Sequence, residues 1–153
     1  MAPVMARSLS RCSPRRMTAQ LELTLVNQKS EIAKLHDRLE GFLGGQDVPL
    51  RSIHDLQLAL EEHLTNVISY GYNDDKAHQI RIRVCLNGSE LKVAVEDDAV
   101  PFNPLDHPTP DFSMPIEERS VGGLGIHMMR KSLDAMEYHR ADSKNILVMT
   151  KRI

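Results

Sequence analysis

Leu56–Tyr72, LQLALEEHLTNVISYGY, is the stretch on which the fold turns. Ile53, Leu56, Leu60, Leu64 and Val67 recur at helical spacing and form one apolar stripe of a helix expected from about Pro49 to Tyr70. Glu62 and Asn66 lie about 200–240° around that helix from Leu60, so they share a face away from the stripe. Their β-carbons should stand about 5–6 Å apart. A carboxylate there could take a proton from a hydroxyl, and an amide oxygen could ligate Mg²⁺, a hard, oxygen-seeking ion. Ala59, Val67 and Ile68 flank the polar face. So apolar a helix should be covered on both sides, by a sheet and by something else, such as a ligand.

Two further clusters follow in order. Asp97 ends the alternating strand Leu91–Glu96 and shares the face of Leu91, Val93 and Val95, so its carboxylate is expected to point to the apolar side. A buried carboxylate is costly without hydrogen-bond donors, and an adenine amino group is a suitable one. Gly122-Gly123-Leu124-Gly125 precedes an amphipathic run with Ile126, Met129, Leu133 and Met136, expected as a helix over about 123–136. Glycines there permit close backbone approach, and a helix N-terminus presents free N–H groups to phosphates. The motif is neither a P-loop nor a dinucleotide-binding fingerprint. Residues 98–122 hold five of the eight prolines and little periodicity, too long for a simple connector, and read as a lid.

The rest of the chain frames these clusters. With 153 residues, 41% hydrophobic and 26% charged, it is sized for one ordinary domain. Net charge is −2, giving no general case for binding nucleic acid. Residues 1–17 carry four arginines and no acid, and are read as a disordered tail or an upstream start, with the folded domain over 18–153. No stretch is apolar for long enough to span a bilayer. Cys12 and Cys85 are far apart and indicate neither a disulfide framework nor a metal knuckle, so a reducing cytoplasm is expected.

Leu21, Leu23 and Leu25 alternate as a strand. Ser30 starts a helix with Ile32, Leu35, Leu39 and Phe42 inward, stopped by Gly44-Gly45. Strands over about His78–Leu86 and Leu91–Glu96 are joined at Asn87-Gly88, and a last hairpin, with Asn145 near its turn, ends in Ile146–Lys151. His63 reads as a partly exposed helix residue.

As a set, these residues resemble the GHKL ATPases. LQLALEEHLTNVISYGY is similar to their N box, VEDDAVPFNP (95–104) to the first glycine box and VGGLGIHMMRKSLDAMEYHR (121–140) to the second. The short frame, Asn103-Pro104 and the terminal KNILVMTKR most resemble the anti-sigma factor serine/threonine kinases, the RsbW-like branch. The resemblance covers about residues 18–153. It implies the Bergerat fold, an α/β (α+β) two-layer sandwich with helices on one face of a mostly antiparallel sheet, and ATP under a lid. It implies Glu62 as general base, Asn66 as Mg²⁺ ligand and Asp97 as adenine acceptor. Ala99 and Phe102 would sit in the first glycine box, Gly122, Gly123, Leu124 and Gly125 would hold phosphates, and Thr150 would lie near the base. The implied activity is transfer of the γ-phosphate to a serine or threonine of a STAS-domain antagonist, which competes with a sigma factor or other regulator. A homodimer is also implied, since relatives are often dimers. The alternative is a binding module without catalysis, which Ala99 favours: it stands where the family has glycine, and would be strained if that position needs a positive φ.

Overall fold

The computed structural model describes residues 19–108, 113–115 and 123–153. The N-terminal segment, Gly122 and much of the expected lid fall outside these residues.

Period-2 patterning builds the sheet. Strands β1 (Ala19–Val26), β2 (Gln79–Asn87), β3 (Glu90–Asp97), β4 (Ala135–Ala141) and β5 (Lys144–Arg152) pair antiparallel throughout in the order β1-β2-β3-β5-β4. Ile80, Ile82 and Val84 of β2, Leu91, Val93 and Val95 of β3, and Leu147 and Met149 of β5 are all buried in one core. Alternate residues face the other side, where Ala94, Ile146 and Val148 form only a small cluster.

Helices α1 (Ser30–Gly44), α2 (Leu50–Tyr70) and α3 (Gly123–Ser132) contribute to that single core. Along α2, the expected stripe of Ile53, Leu56, Leu60, Leu64 and Val67 is buried, each large residue being worth about 1.5–3 kcal/mol on removal from water. In α1 the stripe ends on Leu43, four after Leu39, while Phe42 is only partly buried. The glycines end α1 without left-handed geometry, since Gly45 has φ −69°. The left-handed residue is Asp47, at φ 59°.

The expected helix over 123–136 is shorter, and Met136 lies on a strand. Lys151 Nζ donates to the Ser132 carbonyl at 2.9 Å and to Asp55 Oδ2 at 2.9 Å, fixing the helix end against β5. Asp134 N then donates to the Thr150 carbonyl at 2.9 Å, and Met136 pairs with Met149. Sheet pairing takes the chain where helical periodicity would have continued. The last hairpin turns at Asp142 and Ser143, with φ of 54° and 61°. Two positive values suit a tight two-residue turn, so Asn145 belongs to the strand proper.

Candidate functional site

The end of β3, the C-terminal half of α2 and the start of α3 enclose a cavity of about 410 Å³, within the range of small-ligand sites. From α2 come His63, Asn66, Val67 and Tyr70, spaced 3, 1 and 3 apart on one face. Asp97, Ala99, Phe102, Ile126 and Asn145 also line it.

Asp97 does point inward, as its strand parity requires, and is 2% exposed. Its Oδ1 accepts from Asn145 Nδ2 at 2.8 Å and from Ala99 N at 3.0 Å. Its Oδ2 is buried and has no partner among the described residues. Burial pushes the carboxyl above its ordinary value, partly offset by the hydrogen bonds from Asn145 and Ala99. One oxygen is therefore held as an anchor and the other is left for a donor from the cavity.

Asn145 is the residue the sequence reading missed. β5 sets it directly opposite Asp97. Its Oδ1 accepts from Tyr138 Oη at 2.5 Å and Arg140 Nη1 at 2.9 Å, while Nδ2 also donates to the carbonyls of Ala99 and Val100. Donors on one side and acceptors on the other assign the amide without ambiguity. Thr150, expected near the base, is a correction. It pairs with Lys92 and Ala135, five residues along β5 from Asn145 and so about 17 Å away. The odd step also turns it to the opposite face of the sheet from Asp97. The clue to Asn145 lay in hairpin register, which a two-residue turn at 142–143 determines.

Ala99 carries no backbone strain, since it is not among the residues of positive φ. Its methyl group is buried instead against Gly71, where an added β-carbon would come within 2.8 Å of it. Val100 N donates to the Gly71 carbonyl at 3.0 Å, so the end of α2 and the loop after β3 meet backbone to backbone.

Glu62 and Asn66 diverge. Asn66 lines the cavity, while the half-buried Glu62 lies over the first turn of α3. A β-carbon on Gly125 would collide with Glu62 Oε2 and stand 3.2 Å from its Cδ, so a larger residue there would require the Glu62 carboxylate to move aside. Gly123 opens α3, Leu124 is exposed, and Ile126 lines the cavity. Arg130 Nη2 reaches back to the carbonyls of Leu105 at 2.8 Å and His107 at 2.9 Å, fastening α3 to the loop that carries Phe102. His63 is another correction: it is buried, because it stands three residues after Leu60 and four before Val67, beside the buried stripe of α2, and it also lines the cavity.

The family model for the histidine kinase-like ATPase domain matches residues 25–151. The chain belongs to this family. Among its relatives, an anti-sigma F factor of Clostridium perfringens (strain SM101 / Type A) is 25% identical over 114 residues, covering 74% of this chain and 81% of that one. The serine-protein kinase RsbW of Bacillus subtilis (strain 168) is 25% identical over 136 residues, covering 86% and 84%. The crystal structure of the RsbU and RsbW domains of Rv1364c from Mycobacterium tuberculosis superposes with a TM-score of 0.64 at 17% identity, covering 88% of this chain and 32% of that one. The shared architecture is the histidine kinase-like ATPase fold, with the open antiparallel sheet and one-sided helices described above.

Proposed function

We propose that this domain is an ATP-dependent serine/threonine protein kinase of a partner-switching system. The observation that carries this reading is the buried, unpartnered Oδ2 of Asp97 at the floor of a mostly apolar cavity. It is an acceptor awaiting a donor, and the exocyclic amino group of adenine supplies one. The planar base would lie among Val67, Ala99, Phe102 and Ile126, with the phosphates toward Asn66 and the glycines that open α3.

Each polar residue then has one task. The Asn66 side-chain oxygen would hold Mg²⁺, whose charge offsets that of the phosphates. Glu62, close against Gly125, would accept the proton of an incoming serine hydroxyl, and the free N–H groups of the first turn of α3 would hold the phosphoryl oxygens. The protein substrate in this reading is a STAS-domain antagonist, and the competing partner a sigma factor or similar regulator. The names of the curated relatives support that assignment. We place this activity in the cytoplasm, in a homodimer, without direct contact to nucleic acid or membrane.

The test is incubation with γ-labelled ATP, Mg²⁺ and a candidate STAS partner. Label on the partner, lost in Glu62→Ala, is the expected result. Tight partner binding with no transfer would instead establish a binding module. The one sequence feature that favoured such a module was Ala99, and its unstrained backbone removes that argument.

A further inference from the structure

His63 stands one turn before Asn66, is 3% exposed, and neither of its ring nitrogens has a hydrogen-bond partner among the described residues. Burying such a group unpaired costs free energy comparable to a lost hydrogen bond, and a leucine there would avoid the cost. The ring lines the same cavity as the free oxygen of Asp97. Two residues that line this cavity therefore carry unpaired polar atoms, Asp97 at Oδ2 and His63 at Nδ1 and Nε2. Asn145, the other deep polar residue, has its hydrogen-bonding capacity occupied.

We propose that His63 is a nucleotide-contacting residue, its ring donating to a nitrogen of the adenine base while Asp97 Oδ2 accepts from the amino group. This rests on the reading of the cavity as an ATP site. The base is the right part of the ligand for two reasons. His63 is as deeply buried as Asp97, whereas the phosphate end, beside Glu62 and Leu124, is more open. Burial also lowers its pKa to about 4, so at neutral pH the ring is uncharged. An uncharged imidazole matches a neutral base and offers one N–H and one lone pair. Adenine presents a donor amino group and acceptor ring nitrogens together. Guanine places a carbonyl where the amino group stands, facing the Asp97 oxygen, so the pair favours adenine.

The experiment measures affinities of the intact protein for ATP and for its 1-deaza, 3-deaza and 7-deaza analogues, each lacking one ring nitrogen. Wild type, His63→Leu and His63→Gln are compared, with Asp97→Asn as the control on the cavity. We expect His63→Leu to melt higher than wild type without nucleotide and to bind ATP about tenfold more weakly. His63→Gln, which keeps a donor, should recover part of that affinity. One deaza analogue should bind wild type about tenfold more weakly than ATP does, and that penalty should vanish in His63→Leu. Equal ATP affinity in wild type and His63→Leu, or deaza penalties unchanged by the substitution, would overturn the proposal. If wild type binds ATP and Asp97→Asn does not, such a result leaves the ATP site standing and removes only His63. If wild type does not bind ATP, both fall. A readout needing no variant is the ¹⁵N resonances of the His63 ring on saturation with adenosine. Movement of a ring nitrogen supports the contact, and unchanged resonances overturn it.

Discussion

Two polar regions meet at the end of β3, and they are built on opposite rules. The cavity beside α2 leaves Asp97 Oδ2 and both ring nitrogens of His63 without a partner among the described residues, although Asn145 is fully bonded. A second groove of about 240 Å³, lined by His78, Gln79, Arg81, Glu96, Asp98 and Lys144 and bordered by the same Asp97, pairs several of these internally. There His78 is held between Asp74 at 2.7 Å and Asp98 at 3.0 Å, with its ring stacked on Tyr72 at 4.3 Å, and Lys144 pairs with Glu96 at 3.2 Å. A polar surface whose charges answer one another is complete without a ligand. A mostly apolar cavity whose acceptor and imidazole have no partner among the described residues is not. Unsatisfied polar atoms, more than polarity itself, mark the binding site.

The sharpest test of that contrast is catalytic. Glu62→Gln should lower phosphoryl transfer to a protein partner by about 10²–10⁴-fold while changing ATP affinity little, measured by single-turnover label transfer and calorimetry. Next in size, Asp97→Asn should weaken ATP binding by about 100-fold and abolish the thermal stabilisation that Mg-ATP confers. Its neighbour in the groove provides the control: Asp98→Asn should leave ATP affinity unchanged within about twofold. Equal losses from the two would break the comparison.

A smaller effect concerns pH, and here the two histidines have opposite signs. Burial lowers the His63 pKa from 6.5 to about 4, so only the unfolded chain gains this proton as pH falls through that window. The His63 term is most favourable above pH 6.5 and is lost progressively down to about 4. Hydrogen bonds to Asp74 and then Asp98 raise the His78 pKa above 6.5, so its contribution is complete below 6.5 and fades as pH rises through the raised value. Urea unfolding at pH 5 and pH 8 should show His63→Leu losing acid sensitivity. His78→Ala should lose stability chiefly at pH 5.

Much of the frame was legible because it rests on local periodicity. The stripe of α2 and the inward parity of Asp97 follow from spacing alone, and both are present. What escaped depended on pairing between distant segments. Asn145 reads as a turn residue until β5 is set against β3. Thr150 reads as a base neighbour until its parity on that strand is known. The short α3 has the same origin: Leu133 and Met136 continue a helical rhythm, but β5 offers hydrogen bonds that end it. His63 reads as partly exposed from its polar type, although its place three after Leu60 and four before Val67 puts it on the buried side of α2. Ala99 is a subtler case, since the concern about strain assumed a backbone conformation that the chain does not adopt.

The strand order has a consequence for how the molecule assembles. β2 with β3, and β4 with β5, are hairpins that can close locally, whereas β3 with β5 joins the two across the sheet. Asp97 and Asn145 meet on that seam, 48 residues apart in sequence. A seam between two preformed hairpins must meet the entropy of long-range closure before its contacts form. The base-binding wall should therefore be among the last parts of the domain to take shape, and a bound nucleotide should slow hydrogen exchange most at the amides of the β3–β5 join. In this fold a bound ligand would act as a rivet at the join between two locally closed hairpins.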